Sequence, residues 1–490
     1  MSTKSQPSVS DLQRDFQELI ELVTGKRAYS LTADQVERDL FRRLLALGAK
    51  LLQLFFVTRA AVRPTTPVLA PNGSELPYHS DKPASYFSIF GKIRFARPYF
   101  YKSGYEGVSP LDGSLSLPER CYSDLLRESA ECLAVDRPFE SGLEVLERFL
   151  GLKLSKLALE TALQEDAADV LAYYEQKSPP APRTEGPILV AQADGKGIPM
   201  VSHEPASTKA HLGKGEKHVH KKEAIATSLY TIAPYVRTPV DVLKALFRHK
   251  EAAGPQSKRP GPTNKKVFAT LEGKEVAITR LAEQAAYRQG GHITDRVALT
   301  DGAEPLQAQV TSKLEGFTLV LDFMHADEYL WQAGNTLFGE TDPQRDVWVE
   351  ERALSLLSGQ ALDVIHLLEE TTKDEKRTDT QKEVLRQVGG YLQRNLPYMH
   401  YDEYLARGWP ISTGAVEGTC RHLVKDRMEL AGMRWVEKGA QAVLELRAVY
   451  ENGDWDDYHR FRRQRQHIRL YKTPFPHQPA CEFTCLELAA

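Results

Sequence analysis

Asp194-Gly-Lys-Gly197 and Asp301-Gly-Ala303 each place a carboxylate where a short apolar strand reads as ending, and Glu417 falls in the first turn of a helix more than a hundred residues further on. Strand ends distant in sequence can converge on one edge of a sheet. Carboxylates gathered there repel each other by several kcal/mol at low dielectric unless a cation sits between them. A donor set made only of oxygen selects a hard ion such as Mg2+ or Mn2+, which keeps waters and shares itself with phosphate oxygens. Two such ions about 4 Å apart can activate a water or a 3′-hydroxyl and stabilise the leaving oxygen of an in-line displacement at phosphorus. The glycines after Asp194 and Asp301 leave room for a phosphate backbone, although an Asp-Gly pair on its own reads first as a turn.

Asp322-Phe-Met-His325 offers a further carboxylate and a ring at a spacing that can ligate a metal or orient the imidazole. Asp322 therefore competes with Asp301 for the second catalytic place. Asp301 is preferred, because in a three-strand, helix, strand order the fourth strand neighbours the first; Asp322 and His325 then become auxiliary. His203, His218 and His220 have no partner at ligand spacing.

These residues need a scaffold. Ser412 and Thr413 are good N-caps for a helix from Gly414, and Val416, Leu423, Val424 and Met428 recur at helical spacing. At 100° per residue Arg421 and Lys425 project within a quadrant of Glu417, a pattern that a surface ion-pair ladder shares. Upstream, strands are expected over 188–193, 198–202, 224–232, 292–300 and 317–323, with a helix over 272–289 between the third and fourth. This is an α/β chain with a mixed five-stranded sheet. Residues 326–410 are almost wholly helical in pattern. Ahead of them lie two helices (9–25 and 31–60) whose apolar stripe suits a core or a dimer seam, and a small hairpin over 86–101 with interleaved aromatic and basic residues. Helices follow over 118–177, two of them joined near Gly151 in a helix-turn-helix outline whose second helix starts at Ser155. The expected divisions are 1–84, 85–177, a Pro-rich linker over 178–186, 187–325, 326–410, 411–450, and a basic tail over 451–490.

A net charge of −3 excludes a uniformly basic coat, and five scattered cysteines support neither a disulfide framework nor a structural zinc site. The sequence shows no apolar run of the roughly 18 residues that cross a bilayer and no signal-peptide core, so a soluble cytoplasmic protein is expected.

Taken together, these motifs give a chain that resembles a DDE transposase of bacterial insertion sequences, most closely the Kra-four family and more distantly the Mutator-like transposases. The residues that carry the resemblance are Asp194-Gly-Lys-Gly197, Thr300-Asp-Gly-Ala303, Leu321 to Trp331, and Ser412 to Met428 with Gly432-Met-Arg-Trp435. It implies an RNase H-like domain interrupted by an all-α insertion, Asp194, Asp301 and Glu417 as ligands of two metal ions, and Asp322 and His325 as a separate signature. It also implies double-stranded DNA as partner, terminal-repeat binding by the N-terminal helices, and a homodimer or larger synaptic assembly without membrane contact. Lys196, Lys217, Lys221, Arg421, Lys425, Arg434, Arg462, Arg463 and Arg465 would then meet phosphates, and Trp435 would stack on a base. The bland alternatives are solvated charged faces and, for Trp435 beside Met433, a core position. A catalytically silent DNA-binding protein and a nuclease that cuts without joining remain as other readings. The chain departs from the family at Tyr101 to Gly107, where members often carry a cysteine pair.

Overall fold

The computed structural model describes residues 7–70, 72–201, 221–247, 259–430 and 432–476, the side chains of 415–417 excepted. The chain forms two compact units, one of Met1–Tyr173 with Trp455–Ala490 and another of Tyr174–Asp454.

The first unit begins with α1 (Val9–Thr24) and α2 (Ala33–Ala61), each started by a capping box, Ser8 with Asp11 and Thr32 with Gln35. Then come β1 (Tyr78–Ser88), β2 (Gly91–Phe100), α3 (Pro110–Ser114), α4 (Asp124–Asp136), α5 (Phe139–Leu150), α6 (Lys156–Ala167) and α7 (Val170–Gln176). β1 and β2 form an antiparallel hairpin that packs on α2, with Phe56 stacked on Phe95 at 4.4 Å between ring centres. The hairpin starts well before residue 86, which corrects the expectation from sequence. Residues 78–85 are mostly exposed and show no apolar alternation; their pairing with β2 makes them a strand. Leu12 and Leu19 of α1 are buried, and the ion pairs Arg43–Glu18 and Lys50–Asp15 tie α2 to α1. Val9, Phe16, Ile20 and Val23 of α1 stay exposed, as do Phe41, Leu44, Leu51 and Phe55 of α2. The 29-residue α2 is long and apolar enough to cross a membrane by length and composition, contrary to the expectation that no such stretch exists. α5 and α6 meet at Gly151, which takes the left-handed conformation (φ 68°) that favours glycine.

In the second unit β3 (Ile188–Pro199), β4 (Lys221–Ile232), α8 (Pro239–Leu246), β5 (Thr263–Thr270), α9 (Lys274–Tyr287), β6 (Asp295–Thr300), α10 (Glu304–Lys313) and β7 (Thr318–Leu321) build one mixed sheet in the order β5-β4-β3-β6-β7. β3, β4 and β5 are antiparallel, while β6 and β7 run parallel to β3. Period-two alternation sends Leu189, Ala191 and Ala298 to one face under Ile278 of α9 and Leu306 of α10. Ile188, Val190, Val297, Leu299 and Val320 go to the other. That face is covered by α11 (Phe323–Phe338), α12 (Pro343–Leu357), α13 (Ala361–Lys373), α14 (Asp379–Asn395) and α15 (Tyr401–Ala406). Last come α16 (Gly414–Thr419), α17 (Asp426–Met428) and α18 (Glu437–Glu451).

Five strands were expected and five form, but one differs in identity. Residues 198–199 continue β3 instead of turning back, and β5, where no strand was expected, takes the place of the strand at 198–202. Gly195 lies in this unbroken stretch beside Glu223 of β4. The 451–490 tail is also corrected: α19 (Trp455–Tyr471) is a helix of the first unit that buries Tyr458, His459, Arg462 and His467.

Candidate active site

The sheet register determines where the aspartates fall. β3 pairs with β6 through Gln192 and Leu299, and β6 with β7 through Thr300 and Leu321. Carrying both pairings onward sets Asp194, Asp301 and Asp322 in one row across three adjacent parallel strands, with neighbouring backbones about 5 Å apart. Each has the parity of residues that face α11–α15 (Val190, Leu299, Val320), so the row belongs to that face. Asp194 lies inside β3 and not at its end: β6 and β7 stop at this level while β3 runs on beside β4.

The three carboxylates differ in what holds them. Asp194 is half-buried and accepts its own following amide, Gly195 N, at 2.7 Å; Asp301, also half-buried, accepts Ala303 N at 3.0 Å. In each case one oxygen accepts no hydrogen bond among the described residues. Asp322 is fully buried and committed: it caps α11 through Met324 N at 2.9 Å, meets His325 Nδ1 at 3.0 Å and accepts the Thr413 hydroxyl. The Asp322 contact, with help from Glu328 and Asp301, pushes the His325 pKa up to about 9 against the cost of burial, so the ring is cationic at neutral pH.

Asp301 and His325 open into a cleft of about 490 Å³ also lined by Glu328, Tyr329, Tyr391 and Arg394. Tyr391 stacks on Tyr329 at 3.7 Å and donates its hydroxyl to the Asp301 carbonyl at 2.9 Å. Gly302 (φ 85°) sits beneath them, where a Cβ would meet the Tyr391 hydroxyl at 2.7 Å. Tyr391 and Arg394 carry no signal in the sequence, because nothing local to α14 ties them to a strand end 90 residues away.

The Glu417 segment is anchored from two sides. Gln192 of β3 donates to Ser412 O at 3.4 Å, Phe323 N to Ile411 O at 2.9 Å, and Thr413 to Asp322. The helix then starts at Gly414 and packs on β3 and β4, so the backbone carrying Glu417 lies beside the strand of Asp194. The Glu417 side chain is outside the described residues. Cys420–Lys425 takes π-helical form, which breaks the 100° spacing used to stack Arg421 and Lys425 behind Glu417.

Among the expected DNA contacts, Arg421, Lys425 and Arg434 are exposed, Lys196 is half-buried, Lys221 is exposed but paired with Glu429 at 2.8 Å, and Lys217 lies outside the described residues. Burial overturns two expectations, Trp435 and Arg462, while Arg463 and Arg465 are partly exposed and paired. Trp435 is 5% exposed, donates Nε1 to Met428 O at 3.1 Å, lies under the Arg427 guanidinium and bonds by its backbone to Pro199 and Val201; it pins the end of β3 and cannot stack on a base. Arg462 is 1% exposed and bonds Asp124 at 2.7 Å and Asp166 at 3.0 Å. Arg463 pairs with Glu128 and Arg465 with Asp169. These arginines hold the first unit together. On the helix-turn-helix outline, Lys153 and Lys156 are paired with Glu147 and Glu140, and α6 presents no basic face there.

Among the described residues, three ligand types approach within 4.8 Å of one another in the first unit, at buried Glu131, Asp166 and His459, a set that could hold a metal ion. Two guanidiniums, Arg127 and Arg462, already bracket Asp166 and compete with any cation. Burial, then repulsion from Asp166, drives the Glu131 carboxyl well above its usual range, and burial, then Arg462, drives His459 down to about 3.

No family model and no curated protein matches the chain. Among solved structures it pairs with the Drosophila P element transposase strand transfer complex at 8% identity, over 73% of this chain and 83% of that one, with a TM-score of 0.22. At that score the likeness fixes neither fold nor function.

Proposed function

We propose that this chain is a DDE-type transposase of a bacterial insertion sequence, acting in the cytoplasm on double-stranded DNA, and that its second unit is an RNase H-like domain interrupted by α11–α15. The observation that carries the reading is the row of carboxylates across β3, β6 and β7, with Asp194 and Asp301 each keeping an oxygen free among the described residues on the face where the Glu417 helix is anchored. The strand order supports it, three antiparallel strands followed by two parallel to the first. The Kra-four motifs lie on these same elements.

Asp194, Asp301 and Glu417 would hold the metal; an all-oxygen, partly exposed donor set fits magnesium or manganese. When bound, two such ions supply an activated water or 3′-hydroxyl and charge stabilisation at the leaving oxygen. The remaining work falls to the chain. Asp322 fixes the His325 ring through Nδ1, leaving Nε2 to donate to a phosphate oxygen in the cleft. Arg394 adds a second cation at the cleft wall. Exposed Arg421, Lys425 and Arg434 offer phosphate contacts, which predicts binding that weakens steeply with salt.

The test is a duplex from the DNA flanking the coding sequence, pre-cut at its end, incubated with a supercoiled target and Mg2+. Joined product is expected, and Asp194→Asn, Asp301→Asn and Glu417→Gln should each abolish it while DNA binding persists. Cutting without joining would indicate a nuclease, and binding without either a regulator.

A further inference from the structure

We propose that the first unit carries a self-association surface, on which the α1–α2 hairpins of two copies of this chain pack into a four-helix bundle. All the residues involved lie in α1 and α2, so the inference is independent of the catalytic reading.

Four apolar side chains on each helix face solvent at heptad spacing. On α2, Phe41, Leu44, Leu51 and Phe55 follow the three-and-four alternation of a bundle seam, and on α1, Val9, Phe16, Ile20 and Val23 do so from the other arm of the hairpin. A helical-wheel count puts the two stripes on the same side. Arg43–Glu18 and Lys50–Asp15 occupy one flank of the α1–α2 seam, and both exposed stripes lie around the opposite flank. They form one continuous patch floored by the buried Leu12 and Leu19.

The patch is large enough for a dimer. At about half exposure each, the eight side chains offer roughly 700 Å², more than the ~300–600 Å² of a monomer's largest patch and near the ~800 Å² per partner of a standard interface. That area, together with the heptad spacing of both stripes, fits a second copy of the same hairpin laid across the patch by a two-fold axis.

Sedimentation velocity of the full chain, without DNA or metal, tests this. The wild type should run as a dimer, and Phe16→Glu or Leu51→Glu, both at exposed positions that the fold does not need, should weaken association at least ~30-fold with circular dichroism unchanged. A monomeric wild type at micromolar concentration, or a dimer that both variants retain, overturns the proposal. So does co-flotation of the wild type with phosphatidylglycerol–phosphatidylethanolamine vesicles that these variants abolish, since the patch would then be a membrane surface.

Discussion

Asp301 and Asp322 come directly after Thr300 and Leu321, paired neighbours on adjacent parallel strands, yet one carboxylate is half-exposed with an oxygen to spare and the other is fully buried with three partners. The difference comes from the segment after each strand. Beyond β6 the chain turns through Gly302 under Tyr391, and beyond β7 it goes directly into α11, whose Met324 amide and His325 ring claim the acid.

This asymmetry separates two isosteric variants. Asp301→Asn should leave thermal unfolding close to wild type and abolish strand joining. Asp322→Asn should cost about 1–3 kcal/mol of stability, because an amide presents an N–H to partners that now donate to it. Differential scanning calorimetry beside the joining assay reads both. An unaltered melting temperature for Asp322→Asn would mean that its contacts hold nothing.

Arg462→Ala should destabilise the first unit by about 3 kcal/mol, since it leaves half-buried Asp124 without its guanidinium and buried Asp166 with Arg127 alone. The slope of log binding constant against log salt should stay as in wild type, whereas Arg421→Ala should lower it by about one. A lowered slope for Arg462→Ala would restore that residue to the DNA surface.

Asp327 is 4% exposed, its Oδ2 accepts Trp331 Nε1 at 3.0 Å, and its Oδ1 has no partner among the described residues. Burial, opposed by that bond and aided by Glu328, pushes its carboxyl up to about 6. A folded pKa above the unfolded one means that the native state holds the proton more tightly. The contribution is therefore full below about pH 4 and is lost as pH rises through 6. Asp327→Asn should raise stability by up to about 3 kcal/mol at pH 8 and have little effect at pH 4. Melting curves at the two pH values check this; equal shifts would show that the carboxyl is not perturbed.

By itself the sequence determined the local signals: the caps that start α1 and α2, the apolar runs of β3, β4, β6 and β7, and the acidic residues set at their ends. Those signals act over a few residues, so adjacent positions suffice to carry them. Only the tertiary structure decided that β3 runs through Asp194 and that 263–270 is a strand, because a strand with glycines or lysines is stabilised by its neighbour's ladder and not by its own composition. The fate of the cations was likewise decided at long range. Arg462 looks the same in sequence as Arg421, and its burial depends on Asp124 and Asp166, some 300 residues earlier in the chain, whose charge makes a buried guanidinium tolerable.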